Sequence, residues 1–114
     1  MKKFLVTYHV PAEVMAQMGE PTPEEWKKGM EPWMAWAARV GEQLVDMGTP
    51  LHGGQNVRPG GAVSDSARLV TGYSLLQADS MEEALRLLDG HPHLGWNPDC
   101  EVEVHECTPL PTFD

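Results

Sequence analysis

An α+β fold is predicted by the sequence: an antiparallel sheet with helices on one face. Three observations carry this. Segments near both ends alternate apolar and polar residues with a period of two. Two stretches with helical periodicity, each opened by a capping box, lie between them. The 114 residues amount to one domain spanning 1–114, and such a chain buries roughly two-thirds of the surface it exposes unfolded.

Residues 2–10 form a first strand, with Phe4, Val6, Tyr8 and Val10 on the apolar face and Leu5, Thr7 and His9 on the other. Pro11 ends it, and a polar connector leads to a helix start, with Thr22 as N-cap, Pro23 at the first helical position and Glu25 closing the capping box. Trp26, Met30, Trp33, Ala37, Val40, Leu44 and Met47 recur at steps of three and four, so this helix is expected to run to a stop at Gly48. Pro32 should kink it, or divide it in two. Residues 51–57 make a thin strand and Pro59-Gly60-Gly61 a turn. Residues 67–78 form a long strand that pairs with 51–57 as a wide-looped hairpin. Ser80 and Glu83 open a second helix whose buried stripe is Met81, Ala84, Leu85 and Leu88, and Gly90 ends it. A His/Pro-rich turn over 91–98 precedes the last strand, from about Cys100 to Cys107.

The order strand–helix–strand, strand–helix–strand is that of the ferredoxin-like βαββαβ architecture. Its uncovered sheet face would carry Leu5, Thr7, His9, Glu101, Glu103 and His105. That mixture is too apolar to stand bare and too polar for a core. Two such faces packed across a two-fold would bury the apolar part and leave a polar pocket, so a homodimer is expected.

The runs Thr-Gly-Tyr-Ser-Leu-Leu-Gln-Ala-Asp-Ser-Met-Glu-Glu-Ala (71–84), Gly-His-Pro-His-Leu (90–94) and Glu-Val-Glu-Val-His-Glu (101–106), with Pro109, resemble the YCII-related (YciI-like) proteins. Leu-Val-Asp-Met-Gly-Thr-Pro-Leu (44–51) is similar to the helix-to-strand junction of their short, stand-alone members. The resemblance covers almost the whole chain and implies a dimeric α+β barrel. Some relatives are thought to be lyase- or isomerase-like enzymes using a histidine on the first helix and an aspartate before a proline after the second. Residues 23–48 contain no histidine and His91 precedes Pro92, so that dyad is not carried over. The Asp-Gly-Pro-Phe signature of another branch is also absent.

Composition narrows the partners. With 17 Asp and Glu against 8 Lys and Arg the formal charge is −9, which argues against nucleic acid and anionic membrane, both of which need a basic patch. The apolar start is broken at Thr7 and no run approaches the ~18 residues of a span, so a cytoplasmic protein is expected. Cys100 and Cys107, seven apart in one strand, point to opposite faces and do not pair. No Lys or Arg within 87–114 could activate either thiol.

Five histidines, none of them expected on a helix, are the main polar peculiarity. Glu103 and His105 share a strand face, where a carboxylate can orient an imidazole as a general base. His9 and His105 should lie near opposite ends of neighbouring strands. A proton-abstracting site would use His93 or His105 as base, Glu103 to orient it, and Tyr73 or Thr7 against a carbonyl or phenol oxygen. The structural alternative has His91 capping the preceding helix C-terminus, with His93 and His105 half-exposed. Candidate ligand contacts are Thr7, His9, Trp36, Tyr73, His91 and Trp96. Trp26 and Trp33 read as core, Trp36 as lining the dimer contact or pocket mouth, and Met15, Met18, Met30 and Met34 as an adaptable apolar surface. His91, His93, Glu103, His105 and Cys107 lie close in sequence, but no CxxC or HxxxH supports a metal, and no cofactor is expected. The glycine pairs at 53–54 and 60–61 precede no helix and cradle no phosphate. Two functions follow: a small homodimer binding a small organic molecule at its open sheet face, or a lyase- or isomerase-type enzyme moving a proton on a small ring compound.

Overall fold

Alternation along the first strand is the frame on which the rest is hung. In the computed structural model, which describes residues 1–19, 21–67 and 69–111, β1 spans Lys2–His9. Phe4, Val6 and Tyr8 are buried beneath helices, while Leu5, Thr7 and His9 face the other way. The further elements are α1 (Ala12–Met18), α2 (Pro23–Val40), β2 (Leu44–Asp46), β3 (Gln55–Val57), β4 (Val63–Asp65), β5 (Val70–Ala78), α3 (Met81–Leu87), α4 (Pro92–Trp96) and β6 (Glu101–Cys107). The main sheet is antiparallel, in the order β2-β5-β1-β6. β3 and β4 form a separate two-stranded ribbon.

Both expected helix starts are present. Thr22 Oγ1 accepts from the Glu25 amide at 3.1 Å, and Ser80 Oγ from the Glu83 amide at 3.2 Å. α2 runs unbroken through Pro32 and ends at Gly41, not Gly48: Gly41 takes φ 65° and returns its N–H to Ala37 O. A 3-10 turn over Gly41–Gln43 then delivers Leu44 to the sheet. The apolar spacing of Leu44 and Met47 therefore continues a helical period without being helical. Leu44 stands opposite Leu76 on β5, so the edge partner of β5 is 44–46 and not 51–57. Beyond a single bridge, Pro50 to Gly72, and the bond from the Leu51 amide to Thr71 O, the chain leaves the sheet, and 55–57 pair with 63–65. The expected strand 67–78 is seen as Val70–Ala78; its Arg68 lies outside the described residues. The polar connector contains α1, and the His/Pro-rich turn contains α4, so His93 is on a short helix after all.

The core joins Phe4, Val6 and Tyr8 to Leu76 and Ala78 of β5, Trp36 and Val40 of α2, and Ala84 and Leu88 at α3. Trp33 packs against it, but Trp26 is 52% exposed, and Leu85, expected in the α3 stripe, is 50% exposed. Trp36 is only 3% exposed, and its Nε1 donates to Leu87 O at 2.8 Å, satisfying a carbonyl at the end of α3. It lines neither a pocket mouth nor a sheet-face contact, because α2 turns 33, 36, 37 and 40 to the core together. Met15 and Met34 are exposed, Met30 is half-buried, and the side chain of Met18 lies outside the described set. Among the described residues no helix is long and apolar enough to cross a membrane. Both cysteines are free, Cys100 buried just before β6 and Cys107 exposed at its end.

Candidate functional site

The register of β1 with β6 decides which polar groups meet. Leu5 stands opposite His105, Thr7 opposite Glu103 and His9 opposite Glu101. His9 closes one end of this ladder and His105 stands four pairs along toward the other, as expected, with Glu103 between them on the same face. His105 Nε2 lies 3.1 Å from Glu103 Oε1, and His9 Nε2 lies 3.9 Å from the same oxygen. Thr7 Oγ1 shares a hydrogen bond with His9 Nε2 at 2.8 Å. An ionised carboxylate only accepts, so His105 donates from Nε2 and its lone pair is left at Nδ1.

These groups edge a hollow of about 640 Å³ on the uncovered face. Leu5, Thr7 and His9 come from β1, Glu103 and His105 from β6, Val70 from the start of β5 and Leu69 from the residue before it. A smaller hollow of about 260 Å³ adjoins at His9 and Leu69 and reaches Asp99 and Glu101. Leu69 and Val70 were not singled out from sequence; period-two counting back from Tyr73 puts residue 69 on this face, and a register shift beside His9 brings in residue 70. No Lys or Arg lines either hollow among the described residues.

His91 and His93 sit elsewhere. Both are buried on the helix side of the sheet, 1% and 5% exposed, so neither joins Glu103 and His105. His93 Nε2 donates to His9 O at 3.0 Å, and its ring lies 5.3 Å from that of Tyr8. It supports the backbone that carries His9 from below. His91 caps the N-terminus of α4, accepting the His93 amide at Nδ1 (3.0 Å), and not the C-terminus of α3. Its ring stacks on Tyr8 at 5.0 Å and meets the edges of Trp33 and Trp36 at 4.7 and 4.4 Å. Burial, with help from His93 and Arg39, pushes His91 down to about 4, so the ring is neutral. Burial likewise lowers His93, against the pull of its hydrogen bonds to backbone at His9 and Glu101. Both enclosed rings are pieces of the core, on the other side of the sheet from the hollow.

Tyr73 is half-buried, opposite Thr7 on the open face, but lies outside the hollow's lining. Trp96 is exposed on α4, with its ring 6.4 Å from that of His93, also away from the hollow. Of the residues expected at the site, the structure therefore gathers Thr7, His9, Glu103 and His105, sets Tyr73 beside them, and excludes Trp36, His91, His93 and Trp96.

A polar relay missed from sequence runs through the core beneath. Ser74 Oγ donates to Met47 O at 2.7 Å, leaving the Tyr8 hydroxyl to donate to Ser74 Oγ, also at 2.7 Å. Burial pushes the Tyr8 phenol up to about 12, against the lowering effect of Ser74. Its signal in the sequence was a serine in register with apolar residues on the buried side of β5. Burial, and Asp99 beside it, push the Cys100 thiol up, away from a reactive thiolate. Among the described residues no group of three His, Cys, Asp or Glu is placed to hold a metal ion. No protein-family model matches the chain, and no curated protein does.

Proposed function

We propose that this is a small, cytoplasmic, homodimeric protein of the YCII-related kind that binds a small organic molecule on the open face of its sheet. The carrying observation is the convergence of Thr7, His9, Glu103 and His105 on one hollow walled by Leu5, Leu69 and Val70. Apolar walls with a few convergent polar groups are what small-molecule sites offer, and about 640 Å³ is within their usual size. The order β2-β5-β1-β6, with helices on one side, supports a ferredoxin-like reading in which β3 and β4 are an insertion. Leu5 and half-buried Leu75, opposite each other on the bare face, favour a second copy packed there. The two free thiols suit a reducing compartment.

One observation favours an enzyme as the second reading. Glu103 fixes the His105 tautomer with its lone pair at Nδ1, and would stabilise the imidazolium formed when Nδ1 takes a proton. That is the arrangement for a lyase or isomerase abstracting a proton from a small ring compound. His93 has no part in it.

Native mass spectrometry of freshly purified protein tests both readings. A dimer carrying a defined extra mass, lost in Glu103→Gln, supports the site. A dimer that binds nothing in a screen of small ring compounds and carboxylates removes the binding reading. A monomer removes the shared face. Proton exchange into a bound ring compound, abolished by His105→Gln, separates the enzyme from the binder.

A further inference from the structure

We propose that α4 is a proton-operated brace on the hollow: it holds the end of β1 in place while His91 is neutral, and lets go when His91 takes a proton. The brace itself owes nothing to the binding reading. Only its consequence, a hollow that loosens around a bound molecule in acid, rests on that reading.

One peptide joins α4 to the open face. The His9 carbonyl accepts from His93 Nε2 at 3.0 Å, and the Val10 amide of the same peptide unit donates to Leu69 O at 3.4 Å. Leu69 lines both hollows, with His9 beside it. A peptide unit is planar and stiff, so its carbonyl and its amide move together. The sheet is irregular at this point. The β1–β5 ladder slips between Tyr8 and His9, and side chains reach the last carbonyls of β1. Thr71 Oγ1 donates to Tyr8 O at 3.2 Å, as His93 does to His9 O. His93 is therefore a positioning residue that reaches the hollow through the backbone.

His91 decides whether α4 stays. The helix has five residues and is opened by His91, whose Nδ1 accepts the His93 amide at 3.0 Å. Accepting there puts the ring proton on Nε2, so a second proton can enter only at Nδ1. It would turn the cap's acceptor into a donor facing the His93 N–H. The ring is 1% exposed, so the new charge would also be cut off from water. Tyr8 from β1, Trp33, Trp36 and Arg39 from α2, and His93 from α4 itself face the ring, and none of these is a carboxylate. The end of α3 gives its Leu88 carbonyl to the His91 amide, and sets Asp89 O and Gly90 against the Arg39 guanidinium. A charged His91 must reach water, and the short helix it caps is the smallest piece that can move with it. His93 leaves with α4, and the His9–Val10 peptide loses its donor.

Burial, with His93 and Arg39, holds the enclosed ring near 4, against 6.5 once it is released. The brace is thus fully closed above pH 6.5. Its released population grows nearly tenfold for each unit that the pH falls between 6.5 and 4.

Native-state amide exchange followed by NMR at pH 7, 6 and 5 tests this, with protection factors removing the direct effect of pH on the exchange chemistry. The Leu94 amide, bonded to His91 O at 3.1 Å, reports α4, and Val10 reports the edge of the hollow. Val6, in the middle of the central strand β1, reports the core. Protection of Leu94 and Val10 is expected to fall together, by about twentyfold from pH 7 to pH 5, while Val6 stays better protected than both. His91→Asn keeps an acceptor for the cap but no titrating ring, and should leave only the shallower slope of His93. Protection that does not change with pH overturns the brace, and so does protection of Leu94 equal to that of Val6, since α4 would then open only with the whole chain. A Leu94 slope that Val10 does not follow overturns the link to the hollow. An unchanged slope in His91→Asn places the proton elsewhere and overturns the switch. The natural chain alone gives the other outcomes, so they stand even where the variant does not fold. Exchange needs no ligand, and an empty dimer in native mass spectrometry removes the binding reading without touching the brace.

Discussion

His91 holds a buried imidazole with one nitrogen engaged and the other, Nε2, without a hydrogen-bond partner among the described residues. Its ring lies among Tyr8, Trp33 and Trp36, with the rings of His93 and the Arg39 guanidinium as the nearby charged or chargeable groups. The folded chain keeps the ring neutral down to about 4, while the unfolded chain binds a proton below about 6.5. Stability is therefore complete above pH 6.5 and is lost as pH falls toward 4, by up to about 3 kcal/mol. Urea midpoints measured from pH 7 to pH 4 should fall steeply for the natural chain. In His91→Asn, which keeps an acceptor for the cap but does not titrate, the fall should be shallower, with the remaining histidine contribution from His93. An unchanged slope would refute the assignment.

The Tyr8–Ser74–Met47 relay is the second residue-scale device, joining β1, β5 and the loop after β2 through the core. Ser74→Ala strands both the tyrosine hydroxyl and the Met47 carbonyl, and should cost about 2–6 kcal/mol, at roughly 1–3 per orphaned group. Tyr8→Phe removes only one donor and should cost less. Because the groups are coupled, the double variant should lose less than the sum of the two singles in equilibrium denaturation. Additive losses would mean that the relay does not act as a unit.

At the scale of elements, the chain around Gly48 decides how the second strand attaches. Gly48 takes φ 77°, and a Cβ there would come within 1.8 Å of Tyr73 O, a contact with backbone that no side-chain rotation relieves. Gly48→Ala should thus free β2 and the Met47 carbonyl from β5. The expected outcome is a loss of several kcal/mol by thermal denaturation, more than for Gly29→Ala, where a Cβ meets nothing within 4 Å. Much of the element list was legible. β1, both capped helices and β6 have local causes: period-two alternation, Thr22 and Ser80 as caps, and Pro23 at the first turn. The passage from α2 to β2 was not, because Leu44 and Met47 stay in phase with the helical stripe. Only the pairing of Leu44 with Leu76 draws them into the sheet. α4 was hidden for a similar reason: its five residues carry no usable periodicity, and it exists because His91 caps it and His93 is held at its base by His9 O.

For the whole molecule, the open face is the consequence that matters. Leu5 is 37% exposed on it, between Leu75 and His105 in register. On the proposed homodimer, Leu5→Glu should set a charge into the face between the copies and yield monomers or aggregate in sedimentation; an unchanged dimer would refute a face-to-face pair. The helix-side core is untouched by this change, so its circular dichroism should remain that of the natural chain.

The α+β class, the faces of β1 and β6, the helix caps, and the place of Thr7, His9, Glu103 and His105 on one surface are all legible from the order of residues alone. Those features depend on neighbours along the chain, through strand alternation and capping. It takes the packed chain to bond Glu103 to His105 and set it 3.9 Å from His9, to bury His91 and His93 in the core, and to stand 55–65 apart as a ribbon. Register and burial depend on contacts between residues far apart in the chain: a slip of a single residue turns every side chain of a strand to the other face, and histidine is equally at home in a neutral core or on a wet surface.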